Sequence, residues 1–300
     1  MCFLSYLNYA MIMKVLVIIL SLFITTVANA DVASQALNKV SEKISNLIPG
    51  EGITEVSLDY NDGDDDQINF SILGVRDIEK TNSSNFFTQF SLMNSEVNGT
   101  NRIFTNIGLG NRVLTDNKSM MLGTNLFFDT DLLEKHKRAS LGIEAKAHML
   151  DLNLNFYEAL SNTITVDKTD EKVLSGHEFG ISSQIPYMPW AKVNYTDYLW
   201  EKDQASVDTE GKIYSLEMQV SPSISIEGSL DESGNTGVDD ETSFRIAFIY
   251  PPEENEPSAQ DGLSNVAFEK RDMSKELSKK VRRNNKIVLE TQGTIIVTSK

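Results

Sequence analysis

The chain has 300 residues, a formal charge of −16 at pH 7 and a hydrophobic content of only 40%. Such acidity disfavours nucleic acid and anionic membrane surfaces as partners. Past residue 30 no apolar run is long enough for a membrane helix, so any membrane role must fall to a barrel. The one cysteine, Cys2, excludes an internal disulfide framework.

Residues 1–30 read as a secretory signal. Lys14 is the positive charge, residues 15–27 are the apolar core, and Ala28-Asn29-Ala30 is a small-x-small cleavage site. Met13, directly before Lys14, is an alternative start. Residues 31–52 form a short periplasmic lead-in. Val40, Ile44, Leu47 and Ile48 have helical spacing there, and Pro49-Gly50 stops the helix.

From residue 53 to 250 the pattern switches to period two, the signature of strands with one apolar face. Thr54, Val56, Leu58 and Tyr60 open the series, followed by Ile68, Phe70 and Ile72. Phe86, Phe90 and Leu92 give a third strand, Ile103, Ile107 and Leu109 a fourth. The fifth carries Met120, Leu122, Leu126 and Phe128, the sixth Leu141 and Ile143 against Glu144. The seventh is the clearest: Leu150, Leu152, Leu154 and Phe156 alternate with Asp151, Asn153 and Asn155. Phe179 and Ile181, then Val193, Tyr195 and Leu199, mark the eighth and ninth. The tenth has Tyr214, Leu216 and Met218 against Glu217, the eleventh Ile224 and Ile226, the twelfth Phe244, Ile246 and Phe248.

A soluble sandwich buries the apolar face; a membrane barrel turns it to lipid and keeps the polar face in a wet lumen. Strand length, an even count near twelve and the loops favour the barrel. Connections after odd strands, 95–101 and 161–173 among them, are polar and mostly long, whereas 148–149, 186–189 and 221–223 are tight turns. Residues 76–85 break the rule as a long connection on the short side. Trp190, Trp200, Tyr60 and Tyr250 sit at strand ends, where an aromatic girdle belongs.

After Pro251-Pro252 the chain leaves the sheet. Val266, Met273, Leu277 and Val281 among charges predict a basic helix over about 263–283. Lys270, Arg271, Lys275, Lys279, Lys280, Arg282, Arg283 and Lys286 outnumber the acids Glu269, Asp272 and Glu276. A basic segment complements an acidic lumen. Residues 286–300 then read as a short extended, exposed tail.

Catalytic and metal chemistry find little footing. His136, in an outer loop, His148 and His177 have no triad or metal spacing and read as incidental polar residues, and His136 near Asp129 and Asp131 lacks a nucleophile. Residues 62–66, DGDDD, look like a calcium loop without its closing Glu. No cofactor and no metal are expected, and an enzyme is the least favoured class.

Four stretches resemble the inverse autotransporter β-domain, the translocator of intimin- and invasin-type adhesins. They are NIGLGNR at 106–112, MLGTNLFFD at 121–129, KRASLGIE at 137–144 and RNNKIVLE at 283–290. The resemblance implies a twelve-stranded outer-membrane barrel with a periplasmic N-terminus. It implies a segment after the last strand that threads the lumen, and a C-terminal passenger at the cell surface. Periplasmic chaperones and the barrel-assembly machinery follow as partners.

The expectation is therefore an all-β protein: a transmembrane antiparallel barrel of about twelve strands over 53–250 with a C-terminal helix threading the lumen. Lys270, Arg271, Lys275, Lys279, Lys280, Arg282, Arg283, Asn284 and Asn285 are assigned to that plug. Glu144, Asp151, Asn153, Asn155 and Glu217 are assigned to the lumen wall. Leu150, Leu152, Leu154, Phe156, Phe244, Ile246 and Phe248 are assigned to outer-membrane lipid. A monomer that exports a C-terminal segment, with almost no passenger, is the leading reading. A diffusion channel and a soluble secreted β-rich adhesin are the alternatives.

Overall fold

The computed structural model describes residues 39, 42–43, 45, 49–61, 67–97, 99–291 and 294–296. The signal segment, most of the lead-in helix and the DGDDD stretch lie outside the described residues. In chain order the strands begin with β1 (Gly52–Asn61), β2 (Gln67–Lys80), β3 (Ser84–Val97) and β4 (Thr100–Leu114). β5 (Met120–Asp131), β6 (Lys137–Ala147) and β7 (Leu150–Ala159) follow, then the short pair β8 (Ile164–Val166) and β9 (Thr169–Val173). β10 (Gly176–Ile185), β11 (Met188–Trp200), β12 (Thr209–Ser221), β13 (Ile224–Ser233) and β14 (Glu241–Tyr250) complete the wall. β15 (Leu289–Thr291) and β16 (Thr294–Ile296) end the series.

Twelve of these strands form one closed barrel, β1 through β7 and β10 through β14, each antiparallel to its neighbours. β1 closes it on β14 with eight residue pairs, from Thr54↔Tyr250 to Asn61↔Ser243. Closure leaves no unpaired edge in the wall, the condition for strands to cross lipid.

The alternation is inside-out relative to a soluble protein. On β5, Met121, Gly123, Asn125, Phe127 and Asp129 are buried while Leu122, Leu126 and Phe128 face out. Ile107 is 61% exposed and Leu126 60%, yet Arg102, Arg112 and Arg138 are at 0%. Hydrocarbon on the outside with guanidinium inside is the arrangement that lipid selects and water penalises. Among the described residues no helix is long and apolar enough to cross a membrane, which says nothing about strands.

Leu150, Phe156 and Phe244 lie exposed on the outer face, and Leu152, Leu154 and Ile246 share that face half-exposed. Phe248 differs: it keeps the outward parity but is only 7% exposed. Val56 and Ile224 are its direct cross-strand partners on the neighbouring strands. Trp200 is not part of a girdle. It is 1% exposed and points inward, among Tyr157, Tyr198 and Leu174.

The short-turn rule holds better than the sequence implied. β2 runs on to Lys80 and β3 starts at Ser84, so only residues 81–83 connect them. At the opposite rim, β3 and β4 are joined by residues 98–99 alone, where a longer loop was expected. The expected loop at 161–173 contains the β8–β9 hairpin instead.

The predicted helix over 263–283 does not form. That segment holds a single 3₁₀ turn, Lys275–Ser278, and is otherwise irregular or extended; another, Ala259–Asp261, precedes it. Nor do residues 286–291 belong to an exposed tail, because Lys286 to Thr291 are buried. A helix saturates its own backbone and needs about 10–12 Å of clear width. Here wall side chains crowd the lumen and take over the backbone bonding.

Candidate functional site in the barrel lumen

Residues 271–290 pass from the short-turn end of the barrel to its long-loop end. Near the short-turn rim Arg271 pairs with Asp151 and donates to the carbonyls of Ala147 and His148. His148 Nδ1 lies 3.0 Å from the Arg271 carbonyl. Glu276 meets Lys146 at 2.9 Å, and Met273 and Leu277 pack on Leu114 and Met121. Lys270 is exposed and Lys275 reaches Glu256 at 3.6 Å, so neither belongs to the lumen plug assigned from sequence. Lys279 pairs with Glu253, in the segment just after β14.

Arg112 on β4 is the first clamp. Its Nε and Nη2 bind the two oxygens of Glu144 at 2.7 and 3.1 Å. Its Nη1 donates to the carbonyls of Glu276, Leu277 and Lys279. The wall thus supplies the donors that a helix would have supplied internally.

Deeper in, Asp129 on β5 accepts Arg138 Nε at 2.9 Å, Arg283 Nη2 at 2.6 Å and Asn106 Nδ2 at 2.8 Å. Asp129, Arg138 and Arg283 side chains are all at 0% exposure. Burying such charges is costly unless each is paired and bonded. The guanidiniums find a second partner in aromatic faces: Arg283 lies 4.4 Å from the Phe127 ring centroid and Arg138 4.3 Å from that of Tyr157. Gly108 and Gly110 make room for this layer. A Cβ there would stand 2.4 Å from the Phe127 ring and 2.3 Å from that of Phe87, over which Arg112 sits.

The backbone of the threading segment is bonded wall by wall. Val281 N donates to Gln89 at 2.8 Å, and Asn155 donates to the Arg282 carbonyl at 3.1 Å. Asn284 N meets the Tyr157 hydroxyl at 2.8 Å and Glu178 at 3.0 Å, and its carbonyl accepts from Arg138 at 2.8 Å. Asn106 donates to the Asn285 carbonyl at 2.9 Å. On the other side, Lys280 pairs with Glu55 on β1 at 2.7 Å, and Arg282 with Glu217 and Glu227 at 3.1 and 2.7 Å. Asn153 lies at the edge of a 190 Å³ cavity beside this segment.

Sequence reading missed most of the wall: Glu55, Arg112, Asp129, Arg138, Tyr157, Glu178 and Glu227. The signal was available, since each sits at an inward parity position of its strand, but parity says only which way a side chain points. His136, read as an incidental loop residue, is at 0% exposure with Nε2 2.8 Å from Glu171. Among the described residues no group of three or more His, Cys, Asp or Glu is placed to hold a metal ion.

Comparison with known proteins places this lumen in a family. Residues 23–285 match the family model for the inverse autotransporter β-domain. The inverse autotransporter adhesin YeeJ of Escherichia coli (strain K12) is 28% identical over 225 residues, 68% of this chain. The match spans only 9% of the YeeJ length. A solved structure from work on in-meso crystallisation of membrane proteins superposes with a TM-score of 0.66 at 17% identity. It covers 80% of this chain and 100% of that one, a likeness of fold. The KdgM porin, at TM-score 0.44 and 10% identity over 66% of this chain and 98% of its own, is too distant to bear on function. With a closed outer-membrane-type barrel, an occupied lumen and a match over most of its length, the chain belongs to the inverse autotransporter β-domain family.

Proposed function

We propose that the barrel anchors the chain in the outer membrane and exports its C-terminal segment to the cell surface through the lumen that segment still occupies. The observation that carries this reading is the path of residues 279–289, whose backbone is bonded to wall side chains of β3, β4 and β7 while Lys280 and Arg282 pair with carboxylates on β1, β12 and β13. A segment that merely folded back into a pore would satisfy its own backbone first. The long-loop rim faces outward in this reading and the short-turn rim faces the periplasm.

Signal-dependent export, periplasmic chaperones, the barrel-assembly machinery and lipid are the partners such a barrel requires; nucleic acid is not. The barrel acts as a monomer. Its role is not enzymatic, since His136 is committed to Glu171 rather than to a nucleophile. Surface attachment is the use we assign to the displayed segment, by likeness to a protein named as an adhesin.

An epitope fused after Lys300 tests the proposal. Protease added to intact cells is expected to remove it, and full protection in cells with a folded barrel overturns the reading. A second reading, a diffusion channel, draws on the cavities of about 190 and 80 Å³ beside the plug. Planar-bilayer conductance separates the two. Closure relieved by deleting residues 263–300 supports the plug, and a steady large conductance of the intact chain supports the channel.

A further inference from the structure

Inside the barrel, polar groups hold the threading segment; at the long-loop rim the bonding changes character. Ile287 and Leu289 enter a cluster of Met93, Val97, Phe104 and Val173. Val288 enters the separate cluster of Tyr157, Leu174, Tyr198 and Trp200. Successive side chains of an extended chain point to opposite sides, so three apolar residues in a row need two receptors. Both are present.

The next residue is recognised by its charge. Glu290 is 3% exposed, and its carboxylate accepts the backbone N–H groups of Asp203, Gln204 and Ala205 at 2.8, 2.6 and 3.0 Å. These belong to the loop between β11 and β12. The backbone is read as well. Leu174 N donates to the Val288 carbonyl at 3.1 Å, and β15 pairs antiparallel with β9 through Leu289↔Val173, Glu290↔Lys172 and Thr291↔Glu171.

The β8–β9 hairpin is braced independently of the segment it receives. Glu171 of β9 binds Arg102 at 2.5 Å and His136 at 2.8 Å, with all three side chains at 0–2% exposure. Arg102 also meets Asp131 at 3.5 Å. The edge of β9 is thus fixed to β4 and to the β5–β6 connection.

We propose that the long-loop rim is a strand-capture site whose ligand is an extended stretch of the exported chain, three apolar residues followed by a carboxylate. It adds that stretch to β9 by β-augmentation and stops it from sliding back. In this chain the ligand is Ile287 to Glu290, the last four residues of the RNNKIVLE stretch. The inference rests on the translocator reading, because only a chain that moves through the lumen needs its register fixed at the exit. Of the ion pairs below, those of Lys280 and Arg282, with side chains 30% and 29% exposed, exchange readily with water and other carboxylates; the buried Arg283–Asp129 pair holds the chain inside the lumen but not at its exit.

The test uses the full chain in the outer membrane with an epitope after Lys300, barrel folding being read by heat-modifiable gel mobility. Glu290→Ala removes the acceptor of three N–H groups without touching a barrel strand. Lys172→Pro removes a β9 donor: Leu174 N is bonded to β15, and alternation makes Lys172 N the next. Each is expected to lower the surface-accessible epitope by about tenfold at unchanged barrel folding, as one or two lost hydrogen bonds of this type would. Wild-type accessibility in both variants overturns the capture site. If the unsubstituted chain never exposes its epitope, the translocator reading itself fails, a separate outcome. Val173→Cys with Leu289→Cys gives a measurement independent of folding losses, these being cross-strand neighbours within disulfide reach. Mild oxidation is expected to cross-link them on cells. Epitope exposure without a cross-link overturns the proposal.

Discussion

Along β4–β7 the threading segment meets Arg112, Asp129 and Arg138, none of which has any solvent exposure. Along β12, β13 and β1 it meets Glu217, Glu227 and Glu55 through Arg282 and Lys280, whose side chains keep 29–30% of their surface in water. Cavities of about 190 and 80 Å³ border β1 and β12–β14; the larger also reaches Glu144 and Asn153 on β6 and β7, and neither touches β4 or β5. One side of the lumen is therefore a dry clamp and the other a wet flank. Paired charges in the clamp are bound in a low dielectric, where losing one partner strands the other. On the flank, water replaces a lost partner.

The sharpest way to break this comparison is to strand a charge in the clamp. Asp129→Ala leaves Arg138 and Arg283 without their carboxylate and is expected to destabilise the folded barrel by about 3–5 kcal/mol, read from denaturant titration in detergent or lipid. A loss no larger than that of the flank variant below would end the distinction. Next, Leu154→Arg puts a guanidinium against lipid and is expected to cost about 2–4 kcal/mol in the same titration. Asn153→Arg, one residue away but beside the lumen cavity lined by Glu144 and Glu217, should be tolerated much better. Equal losses at the two positions would contradict the inside–outside assignment. Gly108→Ala drives a Cβ into the Phe127 ring under Arg283, and overpacking of this kind costs about 1–3 kcal/mol. Smallest is Glu227→Gln, expected at about 1 kcal/mol or less. Its effect should shrink further as salt is raised, whereas the Asp129→Ala loss should not.

Much of this was legible in the chain. The alternation at Leu150, Leu152 and Leu154 against Asp151, Asn153 and Asn155 placed both faces of β7, because side-chain direction in a strand is fixed by parity alone. The basic run at 279–283 announced a partner of opposite sign. Three errors share one cause. The helix over 263–283, the girdle role of Trp200 and the incidental role of His136 were judged from neighbours in sequence. Their fates were set by neighbours across the barrel: Arg112 and Asn155 at the segment's carbonyls, Val288 beside Trp200, and Glu171 at the His136 ring.

By itself the sequence determined the wall: period two, an even set of strands, tight turns at one end, and which residues look into the lumen. Those are local properties, settled by backbone geometry and by the solvent each face must meet. Only the tertiary structure decided what the lumen does with its contents. Bonding of a threaded chain depends on groups brought together from strands more than a hundred residues away, as with Arg138 and the Asn284 carbonyl. A chain whose backbone is satisfied from outside has no reason to coil into the helix its own pattern favours.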